Sequence, residues 1–202
     1  MKKKLFRLIV TLLFLVITNS SVNASSAFVS SISFLSVNPS ILIKKDLIER
    51  ALHQRQEAHC LALGLYHEAR GETVLGQYAV GATILNRVRS TAYPSTVCRV
   101  VFQNQHKKFR CQFSFACDGI SDMPKNTDSF IKMRRLAKLL ISKGIDREAK
   151  FIGQNFHSSF NGMTHYHRYD VRPVWSKKLK QISVLGNHIF FQSHRVTKRY
   201  RH

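Results

Sequence analysis

The sequence predicts an α+β protein of one domain, with helices first and short strands last. Three observations carry this. Apolar residues recur at helical spacing through residues 58–89 and again through 128–143. The last third changes to short runs separated by Asn161-Gly162 and Gly186-Asn187 turns. The stretch from 46 to 193 has the length of a single domain and can bury a core of its own.

The first helix is expected over Ala58–Ala69, where Ala58, Leu61, Leu65 and Ala69 form one stripe and Gly71 is a natural stop. The second is expected over Thr73–Arg89. Its stripe is Val74, Tyr78, Gly81, Leu85 and Val88, widened by Val80 and Ile84, and Gly81 would let another helix approach closely. Ala92-Tyr93-Pro94-Ser95 ends it. The third, Asp128–Lys143, is capped by Thr127 or Asp128, turns Leu136, Leu139 and Leu140 to the core, and stops at Gly144. Thr164–His167, Gln181–Leu185 and His188–Phe191 are expected as short strands.

The flanks differ from the domain. Lys2, Lys3, Lys4 and Arg7 precede an apolar run from Leu8 to Ile17 and a small, polar stretch to Ser26, the three-part plan of a secretory leader. The run is short of the roughly 20 apolar residues that span a bilayer. Residues 1–24 are thus read as a signal peptide with Ser25 as the first mature residue, and export to the periplasm or wall follows. Residues 25–45 are expected to be a loosely packed lead-in, and 194–202 a basic tail. No membrane span is expected in the mature chain.

The formal net charge is +21, and cleavage removes four cations to leave +17. Such a balance favours anionic partners. Export and the lack of a basic helical stripe or a nucleic-acid motif argue against nucleic acid. All four cysteines, Cys60, Cys98, Cys111 and Cys117, follow the leader, as an oxidising compartment would permit. The rival is a zinc site, but there is no C-x-x-C. A short connection makes the first two helices antiparallel, which brings Cys60 near Cys98. Cys111 and Cys117 would then close a small loop.

Chemistry is sought among scarce acids, 11 in 202 residues. Glu68 and Glu72 stand in Tyr66-His67-Glu68-Ala69-Arg70-Gly71-Glu72 at the end of an apolar helix. By composition alone they read first as a surface pair with Arg70 as an ion-pair partner. His165-x-His167 on a strand would point two imidazoles to one side, with His188 as a third metal ligand. The lack of His-Glu-x-x-His and of a nearby acidic ligand speaks against a zinc enzyme, so neither metal nor cofactor is expected.

Leu61–Glu72 and Gly76–Val88, followed by Tyr93-Pro94, Cys111–Gly119, Thr164–His167, Pro173-x-Trp175 and Gly186–Phe190, resemble the signature of the SleB-type cell-wall hydrolases, in order over about residues 58–191. The resemblance implies a lysozyme-related, lytic-transglycosylase-like fold with Glu68 as the catalytic acid. It implies a peptidoglycan glycan strand as substrate and a cut between MurNAc and GlcNAc. A glycosidic oxygen leaves poorly until protonated, so a carboxyl with a raised pKa must sit beside it. Hydrolysis needs a second carboxylate. A lytic transglycosylase instead uses the muramic C6 hydroxyl, and one glutamate serves as acid and then base.

Glu72 and Asp118 are the candidates for a second acid, Glu72 otherwise orienting substrate or holding Arg70. Gln77, Phe113, Ser114 and Tyr166 are candidate sugar contacts by motif position, with core packing the alternative for Phe113 and Phe115. Asn86 and Arg87 are read as helix packing and capping, and Trp175 as core. No separate peptidoglycan-binding domain of the kind found in the spore members is recognised, so the domain is expected to act alone, as a monomer. The alternatives are a hydrolytic muramidase, a zinc-dependent amidase and a non-catalytic wall-binding module.

Overall fold

The computed structural model describes residues 39–108, 110–151 and 160–193. The leader, most of the lead-in and the basic tail lie outside the described residues. The chain divides into a segment ending at Lys45 and a compact unit, Asp46–His202. Of the first, Pro39–Lys45 is described and is helical.

In chain order the helices are α1 (Pro39–Ala69), α2 (Val74–Arg89), α3 (Val97–Val101) and α4 (Thr127–Phe151). The strands are β1 (Met163–Arg168), β2 (Lys180–Leu185) and β3 (His188–Gln192). Short 3-10 turns stand at Ser114–Cys117 and Val174–Lys178. The three strands form one antiparallel sheet with β3 in the middle. Helices first and strands last are therefore what the chain builds.

The core is organised on α2, which is buried continuously from Tyr78 to Val88. A helix apolar on all sides must be wrapped, and α1, α3, α4 and the sheet wrap this one. Thr73 caps it, its hydroxyl accepting from Gly76 N at 3.2 Å. Gly81 is the closest point: a methyl there would come within 2.5 Å of Leu140 Cδ1 and 3.5 Å of Leu65 Cδ2. The close approach expected at this glycine is thus made by α1 and α4 together.

Several elements depart from the sequence reading. The first helix begins at Pro39, not Ala58, although Ser40–Gln56 are exposed throughout. Proline suits a first helical turn, and Ile41, Leu47, Ile48 and Leu52 keep a helical spacing ahead of the expected stripe. Val74 is exposed, because it occupies the solvent-side first turn of α2. The α4 cap is Asn126, whose Oδ1 accepts from Ser129 N at 2.9 Å, rather than Thr127 or Asp128. Met133, Ala137 and Leu140 are buried, with Ile145 beyond Gly144, while Leu139 is exposed. Gly144, at φ +74°, does break the helix. The polypeptide after it is tied back by a hydrogen bond from the Tyr78 hydroxyl to Ile145 O.

Both expected disulfides are present, Cys60–Cys98 and Cys111–Cys117. The first joins α1 to α3, the short helix that follows the α2 turn. Glu57 secures the same junction. Its buried carboxylate accepts from Val97 N at 2.6 Å and Cys98 N at 3.4 Å, so it neutralises the α3 N-terminus.

Candidate active site

Glu68 stands in the last turn of α1, where the helix leaves the core. The Tyr166 hydroxyl, from β1, donates to its Oε2 at 3.0 Å. Burial raises the Glu68 pKa above its ordinary 4.5, against the Tyr166 hydrogen bond and the charges of Arg87 and His67, which pull it down. Tyr166 is pushed well above the usual phenol range by burial and by the Glu68 charge, so it remains a donor. Its ring is held edge-on by His188, at 5.0 Å between centroids, and lies against Phe190. One carboxyl oxygen is thereby fixed by a donor.

Arg87, on α2, is buried, and its Nε donates to Thr164 O at 2.7 Å. The guanidinium lies over Tyr93 and Phe113, 5.5 and 5.4 Å from their centroids, while Nη1 is a buried donor with no partner among the described residues. The neighbouring Asn86 donates to Phe160 O at 2.7 Å and Met163 O at 3.1 Å. Adjacent residues of α2 therefore hold the start of β1, which positions Tyr166. Asn86 is the packing residue expected. Arg87 is more than that, since its charge acts on Glu68. The signal for it was an arginine inside the apolar run of α2.

Glu72 is placed elsewhere. It accepts from Asn187 N at 2.9 Å and Asn187 Nδ2 at 3.2 Å, and lies 3.7 Å from His188 Nδ1. It locks the β2–β3 turn to the α1–α2 junction. Gly186, at φ +59°, is needed there twice over, because a side chain would also strike Glu72 Oε2. Arg70 is not its partner. The Arg70 guanidinium donates to Tyr66 O at 3.1 Å and covers the Tyr66 ring.

Gln77 is likewise turned inward, its Nε2 donating to Glu72 O at 3.0 Å. Phe113 is buried beneath Arg87, which is the core-packing alternative rather than a free stacking face. Ser114 is exposed at the start of the small disulfide loop. Asp118 is exposed, and its Oδ1 accepts from Ile120 N at 2.8 Å. Phe115 stacks on His67 at 4.3 Å, which backs the residue before Glu68.

The structure thus brings together Glu68, Tyr166 and Arg87, and directs Glu72 and Gln77 to the turn. His165 and His167 pack on Trp175, with Tyr93 and Phe191 beside them. Burial and the Arg87 charge lower the His165 pKa to about 4. Among the described residues no group of three or more His, Cys, Asp or Glu is placed to hold a metal ion.

A partly buried acid at a helix end, hydrogen-bonded by a tyrosine and under the charge of a buried arginine, is an arrangement that suits carboxyl acid–base chemistry. The chain belongs to the cell wall hydrolase family of SleB type, whose family model it matches over residues 71–191, opening three residues after Glu68. It is 27% identical over 138 residues to the spore cortex-lytic enzyme of Bacillus cereus, covering 68% of this chain and 45% of that protein. It is 30% identical over 133 residues to that of Halalkalibacterium halodurans, covering 64% and 33%. The chain therefore spans less than half the length of these relatives. The crystal structure of the catalytic domain of the Bacillus cereus SleB protein is 29% identical, with a TM-score of 0.46, over 67% of this chain and 89% of that one.

Proposed function

We propose that the protein is an exported enzyme that cuts peptidoglycan glycan strands between MurNAc and GlcNAc, as a lytic transglycosylase with Glu68 as its single acid and base. The observation that carries the reading is the state of Glu68: a carboxyl whose pKa is raised by burial, with one oxygen held by Tyr166. In the first step Glu68 gives its proton to the glycosidic oxygen, and the bond to the muramic anomeric carbon breaks. The C6 hydroxyl of the same sugar then attacks that carbon and loses its proton to the Glu68 carboxylate. A 1,6-anhydro ring closes, and the carboxyl is restored.

Tyr166 and Arg87 stabilise the anion that exists between the two proton transfers. A hydrolase would need a further carboxylate to activate water. Glu72 is engaged with Asn187 and His188, which supports the one-acid route. Ser114, exposed on the small disulfide loop, and Asp118, exposed just after it, remain the candidate substrate contacts among the residues read from the sequence. The two disulfides, and residues 1–24 read as a leader, support export to the periplasm or wall. Family membership and the names of the relatives support the wall as target.

Mass spectrometry of the products from purified peptidoglycan tests the proposal. Anhydro-muramyl ends are expected. Reducing muramic ends would replace the transglycosylase by a hydrolytic muramidase. Free stem peptides would indicate an amidase, and binding with no release would leave a wall-binding module.

A further inference from the structure

Outside the Glu68 site, α1 and α4 present a second surface that the glycan reaction does not use. Within the unit Asp46–His202, an open groove of about 790 Å³ lies between them, lined by Ala51 and Arg55 of α1 and Ile131, Arg134, Arg135 and Lys138 of α4. Arg55 precedes Glu68 by thirteen residues on one helix, roughly 20 Å along its axis, so the groove is separate from the acid.

The groove carries four permanent cations, and no carboxylate lines it. The acids of this part of α1 are turned away. Asp46 pairs with Arg50 at 2.9 Å, and Glu57 is buried at the α3 N-terminus. Glu49 lies about 120° around the helix from Arg55. Large apolar side chains flank the cations. Leu47, Ile48 and Leu52 are 51–59% exposed on the side of α1 that carries Arg55, and Leu139 is exposed beside Arg135.

This combination selects among occupants. A hydrated polyanion would engage the cations and gain nothing from the leucines and isoleucines. A second copy of a chain of formal charge +21, or +17 without residues 1–24, would bring like charge to the groove. An anionic lipid surface uses both features, phosphates meeting the cations and apolar side chains entering the headgroup boundary. We propose that this face docks the protein on an anionic phospholipid surface, with lipid phosphates between Arg55, Arg134, Arg135 and Lys138 and with Leu47, Ile48 and Leu52 in the interface. Among the described residues no helix is long and apolar enough to cross a membrane, so the proposed contact lies in the interface plane.

The test is co-sedimentation of the chain from Ser25 onward, free of the apolar leader, with vesicles of phosphatidylglycerol and phosphatidylcholine, and with phosphatidylcholine alone. Binding is expected on the anionic vesicles. The exposed triple variant Arg134→Gln, Arg135→Gln, Lys138→Gln should bind roughly a hundredfold more weakly. An equal loss of charge elsewhere, Lys177→Gln, Lys178→Gln, Lys180→Gln, should change binding little, and Leu47→Ser with Leu52→Ser should weaken it at high salt. Circular dichroism is expected to show all variants folded, since every substituted side chain is exposed. Equal weakening by the two triple variants would reduce the effect to net charge and overturn the proposal. Equal binding to neutral vesicles, or competition by soluble polyphosphate that is complete and independent of the leucines, would overturn it as well.

Discussion

Glu68 and Glu72 stand four residues apart in one motif, and their surroundings are opposite in kind. Among the described residues Glu68 has a single hydrogen-bond donor, Tyr166, within a setting that disfavours its charge. Glu72 has two donors from Asn187 and the His188 ring nearby, and it fastens a turn. The α1–α2 junction separates them. Glu68 belongs to the last turn of α1, whereas Glu72 lies beyond Gly71, where the chain has turned toward α2 and the β2–β3 hairpin. Sequence spacing brought the two acids onto one face only if the helix continued, and it ends at Ala69. The difference teaches that a carboxyl left short of partners is suited to the proton donor proposed for Glu68, whereas one fully supplied serves as an anchor.

The widest separation should appear in activity. Glu68→Gln is expected to lower muropeptide release by about 10²–10⁴-fold with the fold intact, because the amide is nearly isosteric and cannot donate the proton. Glu72→Gln should cost about 1–2 kcal/mol of stability, through the turn it holds, and leave release within a few-fold at temperatures where it is folded. Release assays paired with thermal melts read both. Equal loss of release by two folded variants would break the comparison and turn the mechanism into a two-carboxylate hydrolysis.

Tyr166→Phe gives a smaller effect on the same pocket. Its hydrogen bond lowers the Glu68 pKa against the larger contribution of burial. Without it the pKa rises further, so the alkaline limb of the pH–rate profile, where the acid deprotonates, should move to higher pH. Release at its optimum should fall about tenfold as the carboxyl loses its orientation. A limb that stays in place, or moves to lower pH, would detach that ionisation from Glu68.

How much of this was legible follows from the kind of signal each residue left. The helices, the strands and both disulfides were readable because periodicity, turn residues and short connections are local in the chain, and Glu68 was singled out by an ordered motif. Partnerships were not. Arg87 reads as an ordinary helix residue until β1 supplies Thr164 O and the helices bring it within electrostatic reach of Glu68. Glu72 reads as a partner for Arg70 until Asn187, 115 residues away, meets it. Gln77 and Phe113 keep their motif positions yet point inward, since motif position does not encode which way a side chain faces. The early start of α1 was missed for another reason: an exposed amphipathic segment buries nothing in this unit, so no core stripe announced it.

The finest expected difference between the two acids is in how stability follows pH. Folding raises the Glu68 pKa, so the native state holds that proton more tightly than the unfolded chain does. The resulting stabilisation is fully present below the ordinary value of 4.5 and is lost as pH rises through the raised native value. Above that ordinary value the buried carboxyl therefore costs the wild-type protein stability, because the unfolded chain gives up the proton more readily, and Glu68→Gln, which cannot ionise, is relieved of that cost. The variant should melt above wild type at neutral pH, by no more than the few degrees typical of one interaction, and the gap should close on acidification through the carboxylate range. Glu72→Gln should instead melt below wild type at neutral pH, because it replaces a carboxylate that both Asn187 donors engage. Thermal melts of the three proteins across that range read the sign directly. A Glu68→Gln protein that melts below wild type at neutral pH would mean that Tyr166 and Arg87 together outweigh burial, and the acid would then be an anion at rest.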